Sequence, residues 1–280
     1  MDDSIGNLDR LRVGSLEVMR MTGTLGAEIE EIDLSKPIPA DLAESIREAL
    51  RQYKVLVFRN QFSVGPGELL AFGKIFGTVD LGPHVVHPDV PGFVGVKELV
   101  SNQNSLVHYD NRSEAAETWH TDGAVRKSPF WVSILQAIDI PPYGRDTAFA
   151  DMEAIYDELS EPFKQFLEGK TALHWAKENM PNGEPPEEHP VILTDKVTGR
   201  KTLYLSNGYA KGIVGLKTSE SNAILNFVAS KARLLEFQVR VRWRPGTIVV
   251  WDNMKTQHYL VLDQAYRRVM HRVMAHVAQD

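Results

Sequence analysis

His120, Asp122, His258 and Arg268 are the residues of this chain whose types and spacing best suit chemistry. In a β-strand, residues i and i+2 point to the same face, so the His120 imidazole and the Asp122 carboxylate can approach one metal ion from one side. A third ligand must come from a distant strand, and the segment 251–258, which ends at His258, is suited to supply it. Two histidines and one carboxylate leave open positions on a metal, as in non-haem Fe(II) oxygenases. The pattern therefore predicts oxygen chemistry.

The His-x-Asp pattern occurs three times in the sequence, so the pattern alone does not identify a ligand pair. In 87–89 the central residue is Pro88, which lacks a backbone donor and favours a loop or a strand edge. The triplet 108–110 lies in a polar stretch that indicates an irregular loop. His120 shortly precedes the largely apolar run 130–138, which favours the third triplet as the ligand pair.

Composition limits the class of protein. The 280 residues, 43% hydrophobic and 24% charged, are typical of a globular protein, and we predict a single domain over 1–280. The net charge of −6 and the lack of basic runs argue against nucleic acid as a partner. Neither a signal peptide nor an apolar stretch of membrane-spanning length is recognisable, which predicts a cytoplasmic protein without a membrane partner. Cysteine is absent, which leaves histidine and carboxylate as metal ligands.

Hydrophobic periodicity predicts a mainly β protein with flanking helices. Strands are expected at 16–21, 27–32, 54–59 and 130–138, and helices at 40–53, 68–76, 152–159 and 162–167. Hairpins are expected around Thr198-Gly199 and around Pro245-Gly246. No βαβ alternation is recognisable, and a β-sandwich or jelly roll with packed helices is the best architecture. The stretch 79–118, rich in Pro, Gly, Asn and His, is expected to be irregular and is a candidate active-site lid.

The segment 266–277 carries two arginines that face the same way. As a strand it places Arg268 and Arg272 on one face, and a helix would also keep them together. A buried arginine needs an anion, because an unpaired buried charge is costly. Its planar fork suits a dicarboxylate cosubstrate, although pairing with an internal Asp or Glu is an equally good explanation of the pattern.

Four motifs together resemble the taurine and 2,4-dichlorophenoxyacetate dioxygenase family. They are Trp119-His120-Thr121-Asp122, Gly144-Arg145-Asp146-Thr147 through Asp151-Met152, Trp251-Asp252-Asn253 with Thr256-Gln257-His258-Tyr259, and Arg267-Arg268-Val269-Met270-His271-Arg272. The similarity covers about 16–277, with the motifs in the family's order.

This resemblance implies a double-stranded β-helix (jelly roll) that holds Fe(II) through His120, Asp122 and His258. It also implies 2-oxoglutarate as cosubstrate and O2 as oxidant. The distal carboxylate of 2-oxoglutarate would pair with Arg268 and Thr147. Arg272 would lie near the other carboxylate and the anionic group of the substrate.

The expected activity is oxidation of a C–H bond in a small, anionic organic molecule, with release of succinate and CO2. Since the carboxylate ligand Asp122 is present, hydroxylation or hydroxylation-driven cleavage is favoured over halogenation. Taurine itself fits poorly, because Gly82 stands where taurine enzymes have a sulfonate-binding histidine and Ala116 replaces an expected asparagine. Gly82, His84, Gly123 and Arg272 are the substrate-contact candidates. The alternatives are a biosynthetic oxidase of an amino-acid-derived intermediate, a non-catalytic metal or 2-oxoglutarate sensor, and a metal-assisted hydrolase.

The remaining histidines divide into two groups. Those expected to be structural are His174, His189, His271 and His276. Further candidates for substrate contact lie in the predicted lid: His87, His108 and Tyr109. Trp119, Trp131, Trp243 and Trp251 are expected in the core, and a homo-oligomer is a mild expectation, since many relatives form dimers or tetramers.

Overall fold

The computed structural model describes residues 10–82, 87–101, 118–176, 185–261 and 267–277. Within these ranges five helices are formed: α1 (Ala40–Tyr53), α2 (Pro66–Lys74), α3 (Met152–Glu158), α4 (Glu161–Leu167) and α5 (Thr218–Ala232). The strands of the first half are β1 (Arg10–Val13), β2 (Leu16–Arg20), β3 (Ala27–Ile29), β4 (Val55–Phe58), β5 (Thr78–Val79), β6 (Asp89–Val90), β7 (Phe93–Ser101), β8 (Val132–Asp139) and β9 (Thr147–Asp151). Those of the second half are β10 (Thr171–His174), β11 (Glu187–Pro190), β12 (Ile192–Thr194), β13 (Lys201–Leu203), β14 (Ala210–Ile213), β15 (Gln238–Val241), β16 (Ile248–Asp252), β17 (Thr256–Leu260) and β18 (Arg268–His276).

Two sheets form the core of a jelly roll. The major sheet has ten strands in the order β1-β2-β3-β4-β16-β8-β18-β7-β6, with β5 paired to β18. The minor sheet has the order β15-β9-β17. A second three-stranded sheet (β11-β10-β14) and the β12-β13 pair are separate from these two sheets, and Ala172, Leu203 and Ile213 from them pack in one cluster with Ala148 and Ala150 of β9. The predicted mainly β jelly roll is therefore confirmed.

Strand alternation decides which side chains of the major sheet face the minor sheet. In β16, Ile248 and Val250 belong to the cluster that contains the buried faces of α1 and α2. Val249 and Trp251 instead pack between the two sheets, together with Phe149 of the minor sheet. Full burial of each such apolar side chain contributes about 1.5–3 kcal/mol. Period-two alternation thus gives the sheet an outer face for helices and an inner face for the site.

Several predicted elements are confirmed. The α1 helix spans the predicted 40–53, and α3 and α4 agree with the predicted helices to within about a residue. The hairpin around Gly199 is present as the antiparallel pair β12-β13. Asp89 belongs to the edge strand β6, in agreement with the proline-containing triplet at 87–89.

The predicted hairpin around Pro245-Gly246 is wrong. Its two arms, β15 and β16, are regular strands, but β15 pairs with β9 in the minor sheet and β16 pairs with β4 and β8 in the major sheet. The turn therefore carries the chain from one sheet to the other. Local turn chemistry is the same in both cases, so only the pairing partners distinguish a hairpin from a crossover.

Several features of the fold were not predicted from the sequence. One βαβ unit is present near the N-terminus, where β3 and β4 are parallel neighbours joined through α1, although the unit is not repeated as an alternation. The α5 helix was not predicted, since its buried residues are only Ser221, Val228 and Ala232 and leave a weak apolar stripe. Within the expected irregular stretch 79–118, β7 is a nine-residue strand paired with β18. The remaining parts at 83–86 and 102–117, which include His84, His108, Tyr109 and Ala116, lie outside the described residues.

Among the helices of the described residues, none is long and apolar enough to cross a membrane.

Candidate active site

His120, Asp122 and His258 converge in the structure. Each offers one ligand atom, and these atoms all lie within 4.8 Å of one another. Asp122 Oδ1 is 3.9 Å from His120 Nε2 and 3.8 Å from His258 Nε2. All three side chains lie inside the protein, with relative exposures of 7%, 9% and 8% respectively. Nitrogen and oxygen donors at this separation are suited to one shared cation, since each can approach a central ion to about 2 Å.

The strand predicted to carry both His120 and Asp122 is absent. His120 forms only an isolated bridge with His258, and Asp122 lies in the turn that follows. The bridge is complete, because His120 N donates to His258 O at 3.0 Å and His258 N donates to His120 O at 2.8 Å. Asp122 therefore reaches the histidines through a turn, and i, i+2 strand geometry is not the cause of the convergence.

Each imidazole is held by a different means. His120 Nδ1 lies 2.9 Å from Thr118 O. Because a carbonyl only accepts, this contact places the proton on Nδ1 and leaves Nε2 free to face Asp122. His258 Nδ1 is buried without a hydrogen-bond partner. Its ring is held by packing instead, with centroids 4.1 Å from His120 and 5.0 Å from Trp251.

The charge states of the three groups suit metal binding. Burial, followed by the neighbouring His120, lowers the pKa of His258 to about 3. Burial also lowers the pKa of His120. Burial would raise the pKa of Asp122, but His258, Arg272, His120 and the Ser133 hydrogen bond outweigh it and keep the pKa below its usual range. Neutral imidazoles beside an ionised carboxylate are the forms that bind metals.

Arg268 is buried on the inner face of β18 without an acid partner. No carboxylate within the described ranges lies at ion-pair distance from it, and its Nε has no hydrogen-bond partner. Nearby Asp146 is instead bound by Arg240 Nε at 2.7 Å. Burial, and then the positive charge of Arg145, lower the pKa of Arg268 to about 9. Of the two explanations that the sequence left open, the structure thus removes pairing with a described internal acid.

Thr147 and Arg268 both contact Trp243. The Arg268 guanidinium carbon is 5.3 Å from the centre of the Trp243 ring. The Trp243 indole nitrogen in turn donates to Thr147 Oγ1 at 3.0 Å. Because that hydroxyl accepts from the indole, its own proton is available to donate to an anion at Arg268. Trp243 thus contacts both of the residues that are predicted to bind the cosubstrate.

Arg272 lies nearer the triad. Its Nη1 is 3.8 Å from Asp122 Oδ1, and its Nε has no hydrogen-bond partner. Lys97 is its cross-strand partner on β7 and is 1% exposed. The Lys97 ammonium donates to Gly82 O and to Asp89 Oδ1, both at 2.7 Å. Sequence reasoning missed Lys97, because the signal for it was an inward charge in a strand that was not predicted.

The other substrate candidates have different outcomes. A Cβ on Gly82 would lie 3.1 Å from Asp80 Oδ1, so a side chain there is crowded. Gly123 has φ +75°, and a Cβ there would lie 2.6 Å from the Phe130 ring, which gives this glycine a backbone role directly after Asp122. Both remain predictions as substrate contacts, and His84 lies outside the described residues.

His174 supports the ligand loop from a distance. It is fully buried, and its Nε2 accepts from Ser206 N at 3.3 Å, while Ser206 Oγ accepts from Thr121 N at 2.9 Å. Thr121 separates the two ligands of the loop. The expected structural role of His174 is therefore supported, and its protonation state bears on the stability of this region.

We expect His174 to destabilise the fold as the pH falls. Burial, followed by the neighbouring His189, lowers its pKa from 6.5 to about 4. The unfolded chain therefore binds a proton that the folded chain does not between pH 6.5 and about 4. The free energy of unfolding should drop by up to about 3 kcal/mol across this window. Denaturant unfolding at pH 7 and pH 5 should show a shallower pH slope for His174→Gln, which keeps an acceptor but does not titrate.

Tyr204→Phe is the matched control for this slope. Its ring lies 5.8 Å from that of His174, and its buried hydroxyl has no hydrogen-bond partner. The substitution should therefore preserve the wild-type pH dependence. An unchanged slope in His174→Gln would contradict the assignment.

A separate cavity lies away from the triad. It has a volume of about 720 Å³ between α1 and α3 and contains neither a triad residue nor Arg268 or Arg272. Several charges along it are already paired, with Lys54 2.8 Å from Asp151 and Arg200 2.7 Å from Glu153. Size alone therefore does not mark this cavity as the active site.

The fold and the geometry of the triad together define the class of enzyme. A jelly roll with two histidines and a carboxylate on its inner face, beside buried arginines, is typical of non-haem iron oxygenases that use an acid cosubstrate. The model of the Taurine catabolism dioxygenase TauD, TfdA family matches residues 17–274. The chain belongs to this family.

Three relatives illustrate the similarity. The alkylsulfatase of Acinetobacter baylyi is 33% identical over 279 residues, covering 92% of this chain and 84% of the relative. The alpha-ketoglutarate-dependent sulfate ester dioxygenase of Pseudomonas putida is 30% identical over 278 residues, covering 92% and 88%. The crystal structure of a taurine dioxygenase from Burkholderia xenovorans has a TM-score of 0.82 at 31% identity and covers 94% of this chain and 90% of that chain. The chain is an Fe(II)- and 2-oxoglutarate-dependent dioxygenase, 2-oxoglutarate being another name for alpha-ketoglutarate.

Proposed function

We propose that His120, Asp122 and His258 hold the Fe(II) of this enzyme. The support is their donor set: two neutral imidazoles and one ionised carboxylate, each offering one atom, within 4.8 Å of one another. Three protein ligands leave further positions for a chelating cosubstrate and for O2. A structural metal site would close all of its positions with protein ligands.

The 2-oxoglutarate would bind through Arg268 and Thr147. The observation that carries this proposal is the buried Arg268 guanidinium, which has no acid partner in the described part of the chain. A carboxylate there would supply the missing counter-charge through two parallel hydrogen bonds. Thr147 would donate a further hydrogen bond. The other end of the dicarboxylate would then face the triad.

Arg272 would bind the second anion of the site. It lies 3.8 Å from Asp122, so an anion between Arg272 and the metal would be close to both. Either the carboxylate next to the keto group or the anionic group of the substrate would suit it. In both cases the guanidinium would orient the acid by a planar, charge-assisted contact.

The reaction needs both cosubstrates in a dry site. When bound, Fe(II) and 2-oxoglutarate supply the activation of O2, while the protein supplies binding, orientation and exclusion of water. His120 and His258 contribute neutral nitrogens, and the low pKa of Asp122 keeps its carboxylate ionised at neutral pH. Arg268 and Thr147 would fix the position of the keto acid.

Alkyl sulfate esters are the substrate class that we propose. The support is the alkylsulfatase and sulfate ester dioxygenase names of two relatives that cover 92% of this chain. Hydroxylation of the carbon bonded to the ester oxygen would replace C–H by C–OH. Loss of the hydroxyl proton and cleavage of the C–O bond would give an aldehyde and sulfate. One O2 atom would enter the substrate and the other succinate, as 2-oxoglutarate loses CO2.

The test is a balance of products. Purified enzyme with Fe(II), 2-oxoglutarate, O2 and hexyl sulfate should release sulfate and succinate in a ratio of about one to one. Hexan-1-ol is the matched control, because it keeps the alkyl chain and lacks the anion that Arg272 would bind. Sulfate release without O2 would favour the hydrolase alternative. Succinate formation that taurine stimulates more than hexyl sulfate would overturn the proposed substrate class.

We also propose that the chain forms one catalytic domain over 1–280 and works in the cytoplasm on a diffusible substrate. Support comes from the family match over 17–274, from its intracellular cosubstrate, and from a net charge of −6, which disfavours nucleic acid as a partner.

A further inference from the structure

Four buried side chains form a continuous hydrogen-bonded chain that ends on a ligand of the triad. Trp251 Nε1 donates to Asn253 Oδ1 at 2.8 Å, and Asn253 Nδ2 donates to Ser133 Oγ at 2.9 Å. Ser133 Oγ donates to Asp122 Oδ2 at 2.8 Å. Trp251, Asn253 and Ser133 are all 0% exposed, so no water competes for these contacts.

The direction of every hydrogen bond in this chain is fixed by chemistry. An indole N–H can only donate, so the amide oxygen of Asn253 must face Trp251. The amide nitrogen must then face Ser133 and donate to its hydroxyl oxygen. With that lone pair occupied, the single hydroxyl proton of Ser133 points to the remaining partner, the carboxylate of Asp122.

The last hydrogen bond of this series, from Ser133, distinguishes the two carboxylate oxygens of Asp122. Oδ2 accepts from Ser133, whereas Oδ1 is the atom 3.9 Å from His120 Nε2 and 3.8 Å from His258 Nε2. We propose that Trp251, Asn253 and Ser133 are positioning residues that reserve Oδ1 of Asp122 for the metal. This inference rests on the proposed metal role of the triad. It makes Asp122 a ligand through one oxygen and keeps a metal position open for the cosubstrates.

The same tryptophan also positions the second histidine. Because His258 Nδ1 has no hydrogen-bond partner, its ring orientation depends on packing. Trp251 supplies one wall at 5.0 Å, and Phe149 supplies another at 6.0 Å. Trp251 therefore acts on His258 through its ring face and on Asp122 through its N–H. These two roles are separable by substitution, since phenylalanine retains a ring and lacks the donor.

Removal of the last donor is the first test. Ser133→Ala deletes the contact to Oδ2 and should raise the dissociation constant for Fe(II), measured by anaerobic titration of the apoprotein, about 10- to 100-fold. It should also shift the visible charge-transfer band that forms when 2-oxoglutarate is added. Ser221→Ala is the matched control, because it removes another buried serine hydroxyl, 3% exposed, which accepts from Ile213 N at 3.1 Å and is not in contact with the triad. That variant should bind Fe(II) within about twofold of wild type.

A double-mutant cycle shows whether Trp251 affects Fe(II) binding through Ser133 or independently of it. Trp251→Phe lets the Asn253 amide flip and should weaken Fe(II) binding about fivefold. In the Ser133→Ala background, the same change should have no further effect on Fe(II) binding, because the series of hydrogen bonds from Trp251 no longer reaches Asp122. Additive losses, or Fe(II) affinity of Ser133→Ala equal to that of Ser221→Ala, would overturn the proposal.

The outcome also separates this inference from the proposed function. One outcome is that wild type binds Fe(II) while His258→Ala does not and Ser133→Ala binds it as wild type does. In that case the metal assignment of the triad holds, and the hydrogen-bonded series of Trp251, Asn253 and Ser133 has no positioning role. If wild type itself forms no charge-transfer band with Fe(II) and 2-oxoglutarate, the metal assignment fails first.

Discussion

Replacement of His258 by alanine is expected to abolish the Fe(II)–2-oxoglutarate charge-transfer band and the release of succinate. His258 supplies one of two nitrogen donors, and its Nε2 lies 3.8 Å from Asp122 Oδ1. Loss of a residue that only supports a ligand costs about 10- to 100-fold in metal affinity, so loss of the ligand itself should exceed about 100-fold. Anaerobic titration of the apoprotein with Fe(II) in the presence of 2-oxoglutarate measures both effects.

His276→Ala is the control for this variant. His276 lies at the end of β18, where its Nδ1 is 3.2 Å from Pro129 O and its ring packs on Phe130. It is not part of the triad, so the band should form as in wild type. A full band in His258→Ala would show that the keto acid binds a metal held by other residues.

Arg268→Met is expected to have opposite effects on the free and the liganded enzyme. Without 2-oxoglutarate, the buried guanidinium has no acid partner, and burial lowers its pKa to about 9. The free energy of unfolding of the apoprotein should therefore stay unchanged or rise. With 2-oxoglutarate, loss of a buried charge pair costs about 2–5 kcal/mol, which corresponds to at least about a 30-fold higher KM for the keto acid.

Thermal unfolding with and without 2-oxoglutarate measures the effect of the substitution on the stability of both the free and the liganded enzyme. Wild type loaded with a non-redox divalent metal should be stabilised by about 2.7 kcal/mol at 100 times the Kd, and Arg268→Met should lose most of this stabilisation. Arg267→Ala is the matched control, because Arg267 is adjacent, about half exposed and paired with Asp139. If Arg267→Ala and Arg268→Met raise KM equally, the distal carboxylate binds elsewhere.

Local patterns predicted many of the elements. The apolar spacing of 40–53 gave the α1 helix with correct bounds, and period-two alternation placed Arg268 and Arg272 on one face of a real strand. These features depend on residues close in sequence, whose side chains repeat with the period of their own backbone. The residue types at 120, 122 and 258 indicated a metal site, but the His-x-Asp pattern occurs three times, and the resemblance to the dioxygenase family was needed to select this triad.

The pairing partners of the strands could not be predicted from the sequence. The Pro245-Gly246 turn has the same local chemistry whether its arms pair with each other or with different sheets, and only the crossover closes the jelly roll. The β7 strand was missed because its burial pattern, with several exposed and half-exposed positions, gives a weak alternation. His120 and Asp122 converge through a bridge and a turn, which i, i+2 reasoning did not anticipate.

The sequence by itself determined which groups could bind a metal and an acid, and the approximate bounds of many elements that carry them. Only the tertiary structure decided that Arg268 has no acid partner in the described chain, that Trp243 joins it to Thr147, and that Ser133 faces Asp122. The physical reason is distance along the chain. Ser133 and Asn253 are 120 residues apart, and their contact exists because β8 and β16 are neighbours in one sheet.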